Sequence, residues 1–394
     1  MQILYYVWNE FTGEDCRMVL RELGEDVIEF RCPWNKLDED ENFENALEAA
    51  ILTKKNGKKI DLVFTWNFFP IISRVCHRQK VRYVSWVFDS PHFPLASKEV
   101  ENNENSIWLF DKDLCKEYMA KNIKTIHYSP LGINAKRLKD ISDKLFDGGI
   151  VYEHDVTFLG NLYDNEFNFY DFAASHMPDE LKGIIEGTIA MQRHTYDVDF
   201  IGNEQVLSKD IINQMAKYMR FELGGNYNFD RDTLIRDILK KKCTKDERKM
   251  ILEDLGQRFK VDMYTKAKGP TLEHVYDLGQ ADYMVKMPHV FCTSKINLNL
   301  SMRSIRTGLS LRIMDVLGAG GFLVTTWQEE LDDYFVDGQD LVVAHTPEEI
   351  GELIEYYLNH EDERKQIALN GQTKACRYFD YRNLLPFILN ANNS

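Results

Sequence analysis

A chain of 394 residues, 44% hydrophobic and 28% charged, is long enough for two or three domains and has ample apolar material for separate cores. Its net charge of −15 argues against a nucleic-acid backbone or an anionic membrane as the main partner, so any basic site must be local. The chain enters a strand at once with no leader-like basic and apolar run, and no apolar stretch approaches the ~20 residues of a spanning helix, so a cytoplasmic protein without a transmembrane segment is expected.

In chain order, residues 2–8 read as an apolar strand that stops at Asn9 and is followed by a helix ending at Gly24. Further short strands are expected at 27–30, 60–65, 81–88, 107–110 and 125–128, with helical stretches between several of them. Such alternation builds a parallel, doubly wound sheet with ligands at the carboxyl ends of its strands. Those ends carry Asn9, Asn67, and the run Asp89-Ser90-Pro91-His92. Turn chemistry alone accounts for Asn9 and Asn67 equally well. Asp89 ends a strongly apolar run, and a carboxylate and an imidazole three residues apart can position a hydroxyl or take its proton.

The polar, glycine-terminated stretch 134–150 reads as a linker, which gives a first domain over 1–148 and a second over 149–375. The second unit opens with a strand at 154–159 closed by Gly160 and Asn161. Residues from about 164 to 256 lack strand patterning and read as a helical insertion, with helices at 231–242 and 245–255. A strand at 259–264 and a turn at Gly269-Pro270 follow.

From Lys295 the sequence alternates strictly, with Ile296, Leu298 and Leu300 on one face and Asn297, Asn299 and Ser301 on the other. A loop then carries Arg303, Arg306 and Gly308, and Ser310 is placed to cap a short helix containing Arg312 and Asp315. The helix ends at Gly318-Ala319-Gly320-Gly321, before a strand at 322–324. A helix start offers unpaired N–H groups and a positive dipole end to an anion, and guanidinium forks strengthen such a seat. One arginine alone would pass for a surface residue; three around a glycine and a helix start favour an anion. Beyond a strand at 341–344, Thr346-Pro347-Glu348-Glu349 starts a helix, and another runs from about Glu361 to Gly371. The apolar tail, 376–394, is expected to pack back on the first domain. Seven scattered cysteines and ten dispersed histidines show no metal-ligand spacing, so reduced thiols and no metal site are expected.

Two such domains with an anion site in the second point to a GT-B enzyme: an α/β protein of two Rossmann-like doubly wound domains facing a cleft. The stretches 61–70 and 83–91 resemble the N-terminal domain of CgeB-like (spore-maturation type) glycosyltransferases, and 154–162, 294–321 and 361–371 resemble their group-1 catalytic domain. The resemblance implies a nucleoside diphosphate sugar, UDP-sugar foremost, as co-substrate, with no other cofactor and no metal. It implies sugar transfer to a hydroxyl of a glycan, protein or small-molecule acceptor, with retention of configuration. Gly160, Asn161, Tyr283, Ser301, Arg303, Gly308, Arg312, Asp315 and Gly320 would then bind the donor. Asp89, His92 and Arg306 would be catalytic, and Asn9 and Asn67 would lie on the acceptor side. The second glutamate of the group-1 pair, which holds the ribose, falls on Asp315; the first falls on Thr307, a departure from the pattern. Asp89 as a general base would imply inversion instead. A non-catalytic nucleotide-sugar-binding protein and a nucleotide-sugar epimerase remain open alternatives.

Overall fold

The structure is a computed structural model that describes residues 1–33, 39–53, 57–147, 149–164, 169–219, 230–266 and 271–391. The expected Gly269-Pro270 turn and Gly148 of the expected linker lie outside the described residues. Two six-stranded parallel sheets carry the chain, in two compact units: residues 1–134 with 379–391, and residues 135–219 with 230–378.

The first unit contains β1 (Gln2–Tyr6), β2 (Asp26–Phe30), β3 (Leu62–Trp66), β4 (Arg82–Val87), β5 (Asn105–Leu109) and β6 (Ile126–Tyr128). Its helices are α1 (Gly13–Glu22), α2 (Glu41–Leu52), α3 (Pro70–Gln79) and α4 (Lys112–Ala120). The strand order is β2-β1-β3-β4-β5-β6, so the order of strands reverses between β1 and β3. The inner strands β1, β3 and β5 are buried along their whole length, which is why they read as continuous apolar runs. Trp66 and Trp86 are register partners on β3 and β4 and stack at 4.8 Å. Tyr381, on the C-terminal helix Tyr381–Asn390, meets Trp86 edge-on at 5.8 Å, and that helix also packs on α1.

The second unit begins with α5 (Ala135–Phe146), followed by β7 (His154–Leu159), α6 (Phe169–Ala174), α7 (Asp179–Arg193), α8 (Lys209–Ala216) and α9 (Arg231–Arg258). Then come β8 (Val261–Tyr264), β9 (Val275–Asp277), α10 (Lys286–Thr293), β10 (Ser294–Asn299), α11 (Leu311–Gly318), β11 (Leu323–Thr326), β12 (Val342–Ala344), α12 (Pro347–Asn359) and α13 (Glu361–Tyr378). Strand order is β12-β11-β10-β7-β8-β9, with the reversal between β7 and β10.

Four expectations are corrected here. The polar stretch at 134–150 contains the helix α5, which buries Leu138 and Ser142; the Ser142 hydroxyl accepts from Gln372 at 3.0 Å. The two helices expected at 231–242 and 245–255 are one, α9. Its first half joins the insertion core through Ile235, Ile238, Leu239 and Cys243, and its second half joins the sheet core through Ile251, Leu252 and Leu255. The later part of α9 is thus the crossover to β8 rather than insertion. Gly371 does not end its helix, since α13 continues to Tyr378. Glycine is needed there because an added Cβ would lie 2.2 Å from the Asp340 carbonyl oxygen. The three-residue edge strand β9 was not anticipated; it is half exposed and too short to show a period. All seven cysteines are free thiols, and among the described residues no helix is long and apolar enough to cross a membrane.

Candidate functional site

In a doubly wound sheet the point where strand order reverses leaves a crevice outside the carboxyl ends of the two strands. In the second unit that point lies between β7, which leads into Gly160 and Asn161, and β10, which leads into Leu300 and Ser301. The Gly160 N–H donates to the Tyr264 carbonyl at 3.1 Å, and an added Cβ would meet the Phe158 ring at 2.8 Å. The Asn161 side-chain oxygen accepts from the Tyr163 N–H at 2.7 Å and fixes the next turn. The polar face of β10 is buried rather than solvated. Asn299 Nδ2 donates to Ser301 Oγ at 3.1 Å and to Thr325 Oγ1 at 2.9 Å, and Ser301 Oγ donates to Gln328 Oε1 at 3.0 Å. Ser310 adopts the N-cap backbone of α11, but its hydroxyl donates to Asn299 Oδ1 at 3.3 Å instead of capping. The first N–H groups of α11 therefore have no side-chain cap.

The geometry separates the arginines sharply. The Arg303 side chain is buried and largely committed: Nε donates to Glu247 Oε2 at 2.6 Å, Nη1 to the Thr195 carbonyl at 2.6 Å, and the guanidinium lies 4.3 Å from the Tyr196 ring centroid, while Nη2 has no partner among the described residues. Burial works against its charge, but the Glu247 carboxylate, together with Cys243 and Tyr196, outweighs that and holds the pKa above its ordinary value. Arg306 is exposed. Arg312 is largely sheltered over the Phe291 ring, with its Nη1 3.7 Å from Asp315 Oδ2. Burial depresses its pKa, and Asp315 only partly offsets this.

A fourth arginine, which the sequence reading did not single out, stands at the switch point itself. Arg248 of α9 donates from Nη1 to the Asn161 carbonyl and from Nη2 to the Leu300 carbonyl, tying the end of β7 to the end of β10. Its Nε is buried without a partner. Burial foremost, and the like charge of Arg312, depress its pKa. A signal was present: Arg248, Ile251, Leu252 and Leu255 follow helical spacing, which puts the arginine on the buried face of α9. Arg248 and Arg312 are thus cations whose burial is incompletely compensated, and an arriving anion would relieve both.

Asp315 is buried one turn into α11, where Oδ1 accepts from the Tyr283 hydroxyl at 2.9 Å. Arg137 of α5 lies over the Tyr283 ring, 5.7 Å from its centroid. Gly308 is buried in the loop before α11. Gly320 is not brought to this place: it sits past the far end of α11 with φ 79°, a turn conformation. An eight-residue helix separates that end from the Ser310 end by about 12 Å. Thr307, where the resemblance expects a glutamate, donates its hydroxyl to Glu330 Oε1 at 2.7 Å, so a buried carboxylate reaches this position from the loop after β11.

In the first unit the reversal falls between β1 and β3, and the Trp8 indole N–H bridges the two strand ends by donating to the Trp66 carbonyl at 3.0 Å. Asn9 (φ 82°) is exposed and Asn67 (φ 60°) is buried. Asn67 Oδ1 accepts from the Phe88 and Asp89 N–H groups at 3.1 and 3.3 Å, and its Nδ2 donates to Asp89 Oδ2 at 2.7 Å. Asparagine can serve as this hub because it tolerates the left-handed backbone and carries both donor and acceptor. The Asp89 carboxylate is held this way while the residue stays exposed. His92 Nε2 lies 2.8 Å from the Phe68 carbonyl oxygen, and burial depresses its pKa despite the opposing charge of Asp89.

Comparison with known proteins gives the architecture a place. Residues 212–390 match the family described as Glycosyl transferase-like. Sucrose-phosphate synthase from Thermosynechococcus elongatus is similar in structure (TM-score 0.56, 10% identity, 99% of this chain and 98% of that one). So is Anabaena Alr3699/HepE, solved with UDP and glucose (TM-score 0.52, 12% identity, 99% of each chain). A glycosyltransferase from Rickettsia africae ESF-5 aligns with TM-score 0.50 and 11% identity over 99% of this chain and 98% of that one. No curated protein matches by sequence. Two Rossmann-like units give this chain the GT-B fold of these neighbours, and its residues 212–390 carry the match to the glycosyl transferase-like family.

Proposed function

We propose that the chain transfers a glycosyl group from a nucleoside diphosphate sugar, a UDP-sugar foremost, to an acceptor hydroxyl, as a CgeB-like, metal-independent, retaining enzyme. The observation that carries this reading is the pair of under-compensated cations, Arg248 and Arg312, beside the uncapped start of α11. A diphosphate seated there gains charge-assisted bonds beside the buried side chains of Asn299, Ser301 and Asp315. Its growing negative charge, as the bond from the sugar C1 to the phosphate oxygen breaks, would be met by dipoles and cations already in place. Gly160, Asn161, Ser301 and Gly308 let the backbone approach, and Asp315 with Tyr283 faces the ribose. The neighbour solved with UDP and glucose supports the choice of nucleotide by fold alone.

The new bond forms between the acceptor oxygen and C1, and in the retaining course the acceptor proton leaves with the departing phosphate. Asn9, Asn67, Asp89 and His92 are assigned to the acceptor, with Arg306 completing the charge around the departing group. The test is incubation of the full chain with UDP-glucose and other nucleotide sugars against a panel of sugar, peptide and small-molecule hydroxyls. Nucleoside diphosphate release is followed, with NMR of the product anomer. Acceptor-dependent release with retained configuration supports the reading, and an inverted product assigns Asp89 the base role. Nucleotide binding without release with any acceptor would make the chain a binding protein, and epimerised donor without acceptor would make it an epimerase.

A further inference from the structure

The helical insertion and the candidate donor loop are joined by a set of buried polar links that the fold of the sheet does not require. The loop at 301–310 connects β10 to α11, and α9 grips it at successive turns. Thr244 Oγ1 accepts from the Arg303 N–H at 3.0 Å, Glu247 takes the Arg303 Nε at 2.6 Å, and Asp237 Oδ1 accepts from the Ser304 hydroxyl at 2.6 Å. Thr195, beyond the end of α7, adds its carbonyl to the same guanidinium. Glu247 and Asp237 are both nearly fully buried. One helix thus carries, in adjacent residues, Arg248 on the two strand ends and Glu247 on the loop. Its first half is rooted in the insertion core and its second half in the sheet core, so the insertion and the loop cannot move independently.

We propose that the insertion is the positioning element of the donor site, and that Glu247 and Arg303 are positioning residues that act through the 301–310 loop. This rests on the reading of that site as a nucleotide-sugar site. A buried ion pair is weak as a source of stability but strongly directional, and losing one partner strands the other charge. The pair therefore serves register. It sets where Ser301, Gly308 and the start of α11 stand relative to Gly160 and Asn161. Preorganisation of this kind lowers the ordering a bound ligand must impose.

The test uses the full chain and the variants Glu247→Gln, Ser304→Ala and Ile72→Val, the last a control that softens the core of the first unit without touching the insertion or the loop. UDP affinity is measured by titration calorimetry, amide exchange over 301–310 by mass spectrometry, and Tm for each. Glu247→Gln is expected to weaken UDP at least tenfold and to speed exchange of the loop at least tenfold; Ser304→Ala gives a smaller change in the same direction. Ile72→Val lowers Tm but leaves both unchanged. Unaltered loop exchange in Glu247→Gln, or UDP affinity that follows Tm equally in all three, overturns the proposal. If the wild-type chain binds no UDP, GDP or ADP, the nucleotide reading falls, and loop exchange alone still decides whether the insertion holds this loop.

Discussion

Replacing Asp315 with asparagine removes one charge while preserving shape. The amide oxygen can still accept from the Tyr283 hydroxyl, now at 2.9 Å from Oδ1, so the fold should lose little. A hydrogen bond to a charged group contributes ~1.5–3 kcal/mol, against ~0.5–1.5 for a neutral one. Two ribose hydroxyls donating to the carboxylate would thus lose about 2 kcal/mol in the variant. Part of this is returned, because Arg312, whose Nη1 stands 3.7 Å from Oδ2, becomes a less neutralised cation and draws the diphosphate harder. The net expectation is UDP binding weaker by about tenfold, ~1.4 kcal/mol. The two effects are separated by titrating UDP and 2′,3′-dideoxyuridine diphosphate into both proteins. The Arg312 effect is common to both ligands and cancels, so the wild type's preference for UDP should exceed the variant's by about thirtyfold, ~2 kcal/mol. A variant that keeps the full preference would show that Asp315 serves only Tyr283 and Arg312, and the ribose assignment would be withdrawn.

Arg306→Ala should lower turnover at least tenfold, about 1.4 kcal/mol of barrier; a normal rate would make this exposed arginine a surface residue. Gly371→Ala should cost about 3 kcal/mol, because the Asp340 carbonyl 2.2 Å from the new Cβ is backbone and cannot swing aside; a drop of roughly 6–10 °C in Tm is the expected reading, and an unchanged Tm would refute the packing argument. For His92, burial holds the folded pKa below its ordinary 6.5. As pH falls through that value the unfolded chain takes up a proton that the folded chain refuses, so stability declines from neutral pH until the folded pKa is reached. Denaturation midpoints between pH 7.5 and 5.5 should therefore fall less steeply in His92→Gln than in the wild type, and equal slopes would contradict the assignment.

Much of the fold was legible because the inner strands are covered on both faces and therefore appear as short apolar runs: the positions of β3, β4 and β7 followed from that, and β10 from its strict alternation. The places where reading failed have physical causes. The stretch holding α5 looked like a linker because one narrow stripe, Ala135, Leu138 and Ser142 among lysines and aspartates, is all that the helix buries. Gly371 looked like a helix stop because glycine is common there, whereas its role is to admit a carbonyl from another segment. Ser310 and Asn299 were legible as polar residues near a helix start, but not as partners of each other.

The sequence by itself determined where most of the buried strands lie, that they are parallel, and that cations cluster around the start of α11, since these depend on periodicity and neighbouring residue types. It did not determine which cation is free to meet an anion. Arg303, Arg306 and Arg312 are alike as letters. Tertiary structure neutralises the first with Glu247, from a distant helix, exposes the second, shelters the third, and brings in Arg248 from a stretch that read as ordinary charged helix. A charge's readiness for a ligand is set by its burial and by the partners that reach it through space, and those partners here lie many tens of residues away along the chain.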